Sequence, residues 1–180
     1  MSIRLATAAD AAAVAAIYRP YAEETPITFE VAAPSADDMR ARIEAGAGLY
    51  PWLVAVADGE VTGYAYATAF RPRPAYRYAV EVSAYLAQGQ QGRGLGKALY
   101  ARLLPLLERQ GFTQAIAAIT LPNDASVRLH ERSGFTRAGI YEQVGWKCGA
   151  WHDVGLWQRA LAPAVTPPAD PKPVAAVWRD

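Results

Sequence analysis

The chain has 180 residues, of which 52% are hydrophobic and 19% charged, and its formal net charge is only +1. This length suits one domain, the hydrophobic content argues against disorder of the whole chain, and the balanced charge gives no overall basic field for nucleic acid. One cysteine and two histidines exclude an intramolecular disulfide framework and a cysteine-built zinc site, so we expect no metal centre.

The start of the chain has no apolar signal core, and no apolar run approaches the roughly 18 residues that a membrane span needs. We therefore expect a cytoplasmic protein. A short strand is predicted at 3–5. The spacing of Thr7 and Asp10 resembles a capping box and predicts an alanine-rich helix that continues to about Tyr18, where Pro20 helps to end it.

The next segments predict a loop, a helix and a hairpin. Residues 25–30 combine proline with β-branched and aromatic residues, which indicates a loop or a short edge segment. Ser35 begins a second helix that stops near Gly46. The dipeptide 58–59, Asp-Gly, is typical of a two-residue turn between antiparallel strands, here 52–57 and 61–70.

The second half alternates strands and helices. An apolar-periodic helix is predicted at 95–110, with Gly111 as its terminator, and Asn123 is expected to cap a shorter helix that ends near Ser133. The remaining β-type runs are 78–86, 115–121, 136–145 and 151–160. We predict a domain over 1–161 and a Pro- and Ala-rich tail over 162–180.

A glycine-rich turn, Gln91-Gly-Arg-Gly-Leu-Gly-Lys97, lies between a predicted strand and a predicted helix. Its backbone N–H groups can converge at the positive end of the helix, which favours phosphate binding over a plain tight turn. A nucleotide P-loop is excluded because Gln91 stands where glycine is needed and Ala98 where Ser or Thr is needed. A dinucleotide fingerprint fails because Lys97 occupies its third glycine position.

The pattern Gln91-x-x-Gly94-x-Gly96 resembles the acetyl-CoA pyrophosphate loop of the GNAT superfamily of N-acetyltransferases. The downstream run Asn-Asp-Ala-Ser at 123–126 is similar to that superfamily's second cofactor region. Within the superfamily, residues 2–160 resemble the phosphinothricin and methionine sulfoximine acetyltransferases. The segments that carry this closer likeness are 21–30, 71–76, 121–131 and 149–155.

The resemblance implies an α/β GNAT fold, with a central mixed, mainly antiparallel twisted sheet flanked by helices, and it implies acetyl-CoA as the co-substrate. It also implies that the backbone at 84–86 pairs with the pantetheine arm of the coenzyme and that Asn123 contacts the coenzyme. The implied cofactor-binding residues are Ala84, Tyr85, Leu86, Gly92, Arg93, Gly94, Leu95, Gly96, Lys97 and Asn123.

Acetyl transfer requires a neutral amine, whereas an α-amino group is largely protonated at neutral pH, so a base is needed. Glu81 matches the proposed catalytic glutamate of the group; taken without the resemblance, a strand glutamate more often faces water or an arginine. His130 stands where many superfamily members have the tyrosine that protonates the leaving thiolate. It is predicted to be catalytic as acid or base, with substrate anchoring and a hydrogen-bonded core histidine as its alternatives.

Arginine forks match carboxylate and phosphinate geometry, so the basic segment containing Arg71, Arg73 and Tyr76 suits an anionic amino-acid-like substrate. The resemblance adds Phe29, to cover an aliphatic part of the substrate, and Glu30, to contact its ammonium group.

Other candidate groups favour structural roles. The run Trp151-His152-Asp153 lacks the Gly-x-Ser-x-Gly elbow of a hydrolase triad with Ser126, and we expect Cys148 to be inert.

The expected function is therefore transfer of acetyl from acetyl-CoA to the α-amine of a small amino-acid-like substrate such as phosphinothricin or methionine sulfoximine, by direct attack with Glu81 as general base. The alternatives are acetylation of a protein or peptide amine, and a non-catalytic acyl-CoA sensor. A homodimer is expected, and no nucleic-acid or membrane partner.

Overall fold

The computed structural model describes residues 1–179; Asp180, the last residue of the predicted tail, lies outside the described part. Seven strands form one mixed sheet in the order β1-β2-β3-β4-β5-β7-β6. The β4–β5 pair is parallel, and the other neighbouring pairs are antiparallel. The strands are β1 (Ser2–Leu5), β2 (Trp52–Ala57), β3 (Glu60–Ala69), β4 (Ala79–Leu86), β5 (Gln114–Leu121), β6 (Thr136–Lys147) and β7 (Ala150–Ala160).

Helices cover both faces of the sheet and bury two apolar clusters. One cluster packs α3 (Leu95–Gln110) against the face of the sheet that carries Val80 and Val82 of β4. The other packs α1 (Ala11–Glu24) and α2 (Ala36–Gly46) against the opposite face of the sheet, which carries Tyr64 of β3 and Tyr85 of β4. The helices are α1 (Ala11–Glu24), α2 (Ala36–Gly46), α3 (Leu95–Gln110), α4 (Asp124–Arg132) and α5 (Val174–Val177), with 3-10 turns at Ala8–Asp10 and Pro74–Tyr76.

The prediction for α1 was wrong at its C-terminal end. The helix continues through Pro20 to Glu24 instead of ending near Tyr18. Proline removes one helical hydrogen bond, but Tyr18 and Ala22 on either side of it are buried in the cluster under α1. Tertiary packing therefore outweighs the local preference to stop.

The prediction for α3 is confirmed at both ends. Its N-cap is Gly94 and its C-cap is Gly111, both in the left-handed region, with φ of 80° and 95°. Leucines on one side of the helix, such as Leu99 and Leu103, are fully buried against the sheet. The terminal glycines and the apolar period together specify the element.

The two central parallel strands separate partway along their length. β4 and β5 pair over three residue pairs, from Ala79↔Gln114 to Glu81↔Ile116. β5 then continues to Leu121 beside β7, and β4 continues to Leu86 beside β3. The two strands therefore open a gap immediately beyond Glu81.

Residues 162–179, most of the predicted tail, fold back on the domain. Lys172 and Gln110 exchange two hydrogen bonds of 2.7 and 2.9 Å, and Val174 of α5 is buried. Asp170 forms a 2.7 Å ion pair with Arg77. The described part of this segment therefore connects the end of α3 to the loop before β4 through these contacts.

Within residues 1–179, no helix combines the length and apolar character needed to cross a lipid bilayer.

Candidate active site

A cleft of about 560 Å³ opens where β4 and β5 separate. Its walls come from the end of β4, the glycine-rich turn, the end of β5 and the start of α4. Of the predicted cofactor-binding residues, those that line it are Ala84, Tyr85, Leu86, Gly92, Gly94, Leu95, Gly96, Lys97 and Asn123. Arg93 lies within the turn between two lining glycines and is exposed.

The glycine-rich turn provides an open cradle at the N-terminus of α3. Gly92 and Gly94 have φ of 77° and 80°, and a Cβ added at either would meet no atom within 4 Å. Side chains there would fill space that the turn leaves for a ligand. Gly96 has a different role, because a Cβ at this position would approach the Leu129 side chain at 3.1 Å. It lets α3 approach α4 closely, and the N-terminus of α3 carries the partial positive charge that favours a phosphate group.

Tyr21 connects α1 to the β4 side of the cleft. Its hydroxyl donates to the Leu86 carbonyl at 2.7 Å and accepts from Gln91 Nε2 at 3.4 Å. The segment of β4 beyond Glu81 has left β5, so its edge faces the gap as a sheet edge would. An extended amide-containing chain can pair with such an edge.

Asn123 and Ser126 form the start of α4 at the cleft. The Asn123 side-chain oxygen accepts from the Ser126 N–H at 3.1 Å, which confirms the predicted N-cap. Because Oδ1 makes this bond, the amide nitrogen of the same side chain can donate to a ligand.

His130 is buried, and both of its ring nitrogens make hydrogen bonds. Nδ1 lies 2.8 Å from the Ser126 carbonyl, which can only accept, so Nδ1 carries the proton. Nε2 then accepts from the Tyr100 hydroxyl at 2.9 Å. Burial lowers the pKa of His130, and the Ser126 carbonyl opposes this effect only in part, so the ring is neutral at pH 7.

Glu81 lies at the last β4–β5 residue pair, where the gap begins. Its side chain shares a face of β4 with Tyr85, four residues on, because alternate strand residues point to the same side. Burial raises the pKa of Glu81, and the positive charge of Arg71 partly offsets this. Glu81, whose carboxyl is half-buried and has a raised pKa, is therefore the last residue of β4 before the strands part, and it is not among the residues that line the cleft.

The substrate-side loop, residues 25–31, is held by contacts from α1 and α2. Arg42 binds both Glu30 carboxylate oxygens, at 2.7 and 2.9 Å. The Tyr18 hydroxyl reaches Glu30 at 3.1 Å and Thr28 at 2.6 Å. Arg42 accordingly lowers the pKa of Glu30, whose charge is already paired.

Phe29, the predicted cover for the substrate, is partly exposed, and its ring lies 6.5 Å from that of His152.

The basic segment lies outside the core, before β4. Arg71 stacks on the Phe70 ring at 5.1 Å and lies 3.4 Å from the Tyr141 hydroxyl of β6. Arg73 and Tyr76 are exposed, and Tyr76 packs edge-on against Phe70. The structure thus brings Arg71 near Glu81 and leaves Arg73 and Tyr76 on the outer side of this segment.

Groups that the sequence assigned to structural roles lie apart from this cleft. His152 Nε2 makes a 2.9 Å hydrogen bond with the Lys147 carbonyl, and Asp153 accepts from the Gln143 N–H at 2.9 Å. Cys148 is exposed at the β6–β7 turn. In the described chain, no group of three or more His, Cys, Asp or Glu residues could hold a metal ion.

Sequence reasoning missed three polar partners in this region: Tyr100, Tyr21 and Arg42. Tyr100 is 30 residues from His130, and Tyr21 is 65 residues from Leu86. Arg42 is an exposed residue of α2. No local signal marks them, because each acts through a contact that only the fold creates.

Comparison with known sequences places this geometry in a family. The acetyltransferase (GNAT) domain family matches residues 3–156. A phosphinothricin N-acetyltransferase of Streptomyces viridochromogenes is 44% identical over 177 residues, which cover 98% of this chain and 94% of the relative. An L-methionine sulfoximine/L-methionine sulfone acetyltransferase of Salmonella typhimurium is 38% identical, covering 94% of this chain and 99% of the relative.

Solved structures of acetyltransferases share the fold of this chain. An acetyltransferase of Salmonella typhimurium with its cofactor acetyl-CoA superposes with a TM-score of 0.90 at 38% identity, over 94% of this chain and 98% of that one. A phosphinothricin acetyltransferase of Sinorhizobium meliloti in complex with acetyl-CoA gives a TM-score of 0.86 at 38% identity, over 94% and 92% of the two chains. The predicted fold and family are thereby confirmed, and the chain belongs to the GNAT family of acetyl-CoA-dependent N-acetyltransferases.

Proposed function

We propose that this enzyme acetylates the α-amine of a small amino acid that carries a second anionic or strongly polar group, with phosphinothricin and methionine sulfoximine as the leading acceptors. The observation that carries the proposal is that Glu81, with a half-buried carboxyl and Arg71 nearby, is the last residue of β4 before it parts from β5. The names of the two relatives described above support this acceptor class.

Acetyl-CoA supplies the acetyl group as an activated thioester. The residues that would hold it are the backbone of the turn at 92–97, the free edge of β4 and the Asn123 amide. The dipole of α3 and the exposed Arg93 and Lys97 complement a diphosphate.

The acceptor reacts as a neutral amine, so the role proposed for Glu81 is to take a proton from its ammonium group. The new C–N bond then forms at the acetyl carbon while the C–S bond breaks. The nitrogen loses a second proton as the amide forms, and this balances the proton that the departing thiolate gains to become the free thiol. Because burial raises the pKa of Glu81, its carboxylate is a stronger base than a solvent-exposed one.

Of the alternatives that the sequence left open for His130, we propose the hydrogen-bonded core histidine, in a role that positions α4. Its ring already donates to Ser126 and accepts from Tyr100, and proton exchange would require one of these bonds to break. Held this way, the ring fixes the first turn of α4 at the cleft.

On the acceptor side, we propose that Arg71 attracts the anionic group and that Phe29 covers the aliphatic part, with Arg73 and Tyr76 contributing from the outer loop. Glu30 is assigned an indirect contribution, since Arg42 occupies its carboxylate.

Thiol release from acetyl-CoA with a panel of amines tests this function. We expect turnover with phosphinothricin and methionine sulfoximine to exceed turnover with N-terminal peptides by at least about tenfold in kcat/KM. Faster turnover on peptides would favour a protein or peptide acetyltransferase. Coenzyme binding without release across the whole panel would favour an acyl-CoA sensor.

We also propose a cytoplasmic homodimer. Trp146 and Trp151 are 58% and 59% exposed, and their rings pack edge-on, 5.5 Å apart, at the end of the β6–β7 hairpin. An exposed aromatic pair at the end of a hairpin at the edge of a sheet is typical of an interface. Sedimentation should give a dimer that Trp151→Lys weakens and Val165→Lys, in the exposed tail, leaves intact; a monomeric wild type would refute it.

A further inference from the structure

Lys147, the last residue of β6, has a long cationic side chain that is only 8% exposed. A buried ammonium group needs compensating hydrogen bonds to remain in the folded protein. Its Nζ donates to the Thr28 carbonyl at 2.6 Å and to the Glu30 carbonyl at 2.7 Å. These two short, charge-assisted bonds cross from the β6–β7 hairpin to the substrate-side loop.

The two carbonyls belong to the residues on either side of Phe29. Fixing both neighbours restricts the backbone dihedral angles at Phe29, and those angles set the direction in which its side chain leaves the chain. The loop has no strand or helix ladder of its own at this point, since residues 25–35 lie between α1 and α2. Lys147 therefore supplies hydrogen bonds that regular structure would supply elsewhere.

A second residue of the same strand fixes the ring itself. Gly145 lies two positions before Lys147, so the two face the same side of β6. A Cβ added at Gly145 would overlap the Phe29 ring, which rests where that side chain would be. β6 thus holds the backbone of Phe29 through Lys147 and makes room for its ring through Gly145.

The charges around Lys147 agree with this role. Burial lowers its pKa, while the negative charge of Glu30 acts in the opposite direction. The Glu30 carboxylate is bound to Arg42, so the two cations hold different parts of one loop.

We propose that Lys147 is a positioning residue for acceptor recognition: by anchoring the carbonyls of Thr28 and Glu30 it sets the direction of Phe29, and Gly145 provides the surface on which the ring lies. The proposal rests on the proposed function, in which Phe29 covers the acceptor. Lys147 does not itself contact the reacting atoms in this account.

The experiment compares Lys147→Met, which keeps a long apolar chain but loses the donors, with the control Lys172→Met in the exposed tail. We expect Lys147→Met to raise KM for phosphinothricin at least about tenfold, with KM for acetyl-CoA changed less than about twofold. Hydrogen exchange of the amides in 27–31 should accelerate in Lys147→Met and not in Lys172→Met. A merely structural role would shift both KM values together, or neither.

Gly145→Ala provides an independent variant if Lys147→Met does not fold. It keeps both hydrogen bonds and displaces the Phe29 ring, so KM for phosphinothricin should rise while KM for acetyl-CoA stays the same. Acceptor KM values equal to those of Lys172→Met in whichever of the two variants folds, or parallel loss of acetyl-CoA binding, would overturn the proposal. If the wild type acetylates no amine, the proposed function fails; the exchange rates of 27–31 then decide alone whether Lys147 anchors the loop.

Discussion

Glu81 is the side chain on which the proposed chemistry depends most. It sits where the parallel pairing of β4 and β5 ends, half-buried, with a pKa raised by burial and partly offset by Arg71. An exposed glutamate would be mostly ionised but weakly basic, so this environment moves the group toward the range in which a general base is effective.

Replacing Glu81 with Gln should lower kcat by about 10²-fold to 10⁴-fold, the usual contribution of a general base, with KM for acetyl-CoA unchanged. In the wild type, kcat/KM should rise with pH through the raised pKa of Glu81, because only the carboxylate accepts a proton, and this rise should be lost in the variant. The measurement is a pH–rate profile of thiol release, with Glu60→Gln, an exposed glutamate of β3, as the control. Full activity in Glu81→Gln would remove the base role.

Asp10 gives a prediction about stability. Arg4 binds both of its oxygens, at 2.7 and 2.8 Å, and Thr7 donates to it as well. The hydrogen bond with Arg4, followed by those from Thr7, lowers the pKa of Asp10 from 3.8 to about 2. The resulting stabilisation is present above the unfolded-state pKa and is lost as the pH falls toward the folded-state value.

We therefore expect Asp10→Asn to lower the free energy of unfolding by about 2 kcal/mol at pH 7, and the difference from wild type to shrink below about pH 4. Urea unfolding at pH 7 and pH 3 measures both values. A difference that is constant with pH would show that the ionised carboxylate is not the stabilising species.

In the turn before α3, the effect of a glycine on folding can be separated from its effect on ligand binding. Gly89 and Gly94 both have positive φ, and a Cβ at either meets no protein atom within 4 Å. Gly94 lines the cleft, whereas Gly89 precedes the lining residues of the turn. The two positions thus have a similar backbone requirement and different proximity to the ligand.

Gly94→Ala should weaken acetyl-CoA binding by about tenfold or more, because its methyl group enters the cradle, while Gly89→Ala should bind nearly as wild type. Each variant bears a comparable strain of about 1–2 kcal/mol in the left-handed region. Calorimetric titration with acetyl-CoA, alongside thermal unfolding of both variants, separates the two effects. Equal affinities would mean that the turn does not hold the coenzyme.

The same elements show how far the sequence alone could lead. α3 was predictable because an apolar period lies between two glycines that can adopt positive φ, and the hairpin at 58–59 carries its own turn signal. The C-terminal end of α1 was not predictable, because the burial of Tyr18 and Ala22 outweighs the local tendency of Pro20 to end the helix.

For the site, the glycine-rich turn and Glu81 followed from motifs and a family likeness. The sequence did not predict the roles of three further residues, Tyr100, Arg42 and Lys147, because each contacts a residue that is distant in sequence. A periodic pattern reports on neighbours along the chain, whereas these contacts depend on which elements the sheet brings together.

At the scale of the whole molecule, the segment after β7 joins separated parts of the domain. Val174 is 3% exposed and its N–H donates to Gly48, after α2, at 3.0 Å. Gln110 of α3 donates to Leu49 and to Lys172, at 2.8 and 2.9 Å. The C-terminal segment therefore completes the packing around the end of α3.

Val174→Ala should destabilise the protein by about 1–2 kcal/mol, because it removes buried methyl groups, whereas Val165→Ala in the same segment should have no measurable effect. Val165 is 63% exposed and provides the matched control. Urea unfolding compares the two. Equal stabilities would mean that α5 is not part of the cooperative fold.

The central claim is that this protein transfers acetyl from acetyl-CoA to the α-nitrogen of a small amino acid. Incubation of the purified wild type with acetyl-CoA and phosphinothricin, followed by NMR identification of the product, tests it most directly. We expect N-acetylphosphinothricin, acetylated at the α-nitrogen, with one free thiol released for each product molecule. Recovery of unmodified phosphinothricin, and likewise of unmodified methionine sulfoximine, from folded protein that binds acetyl-CoA would contradict it.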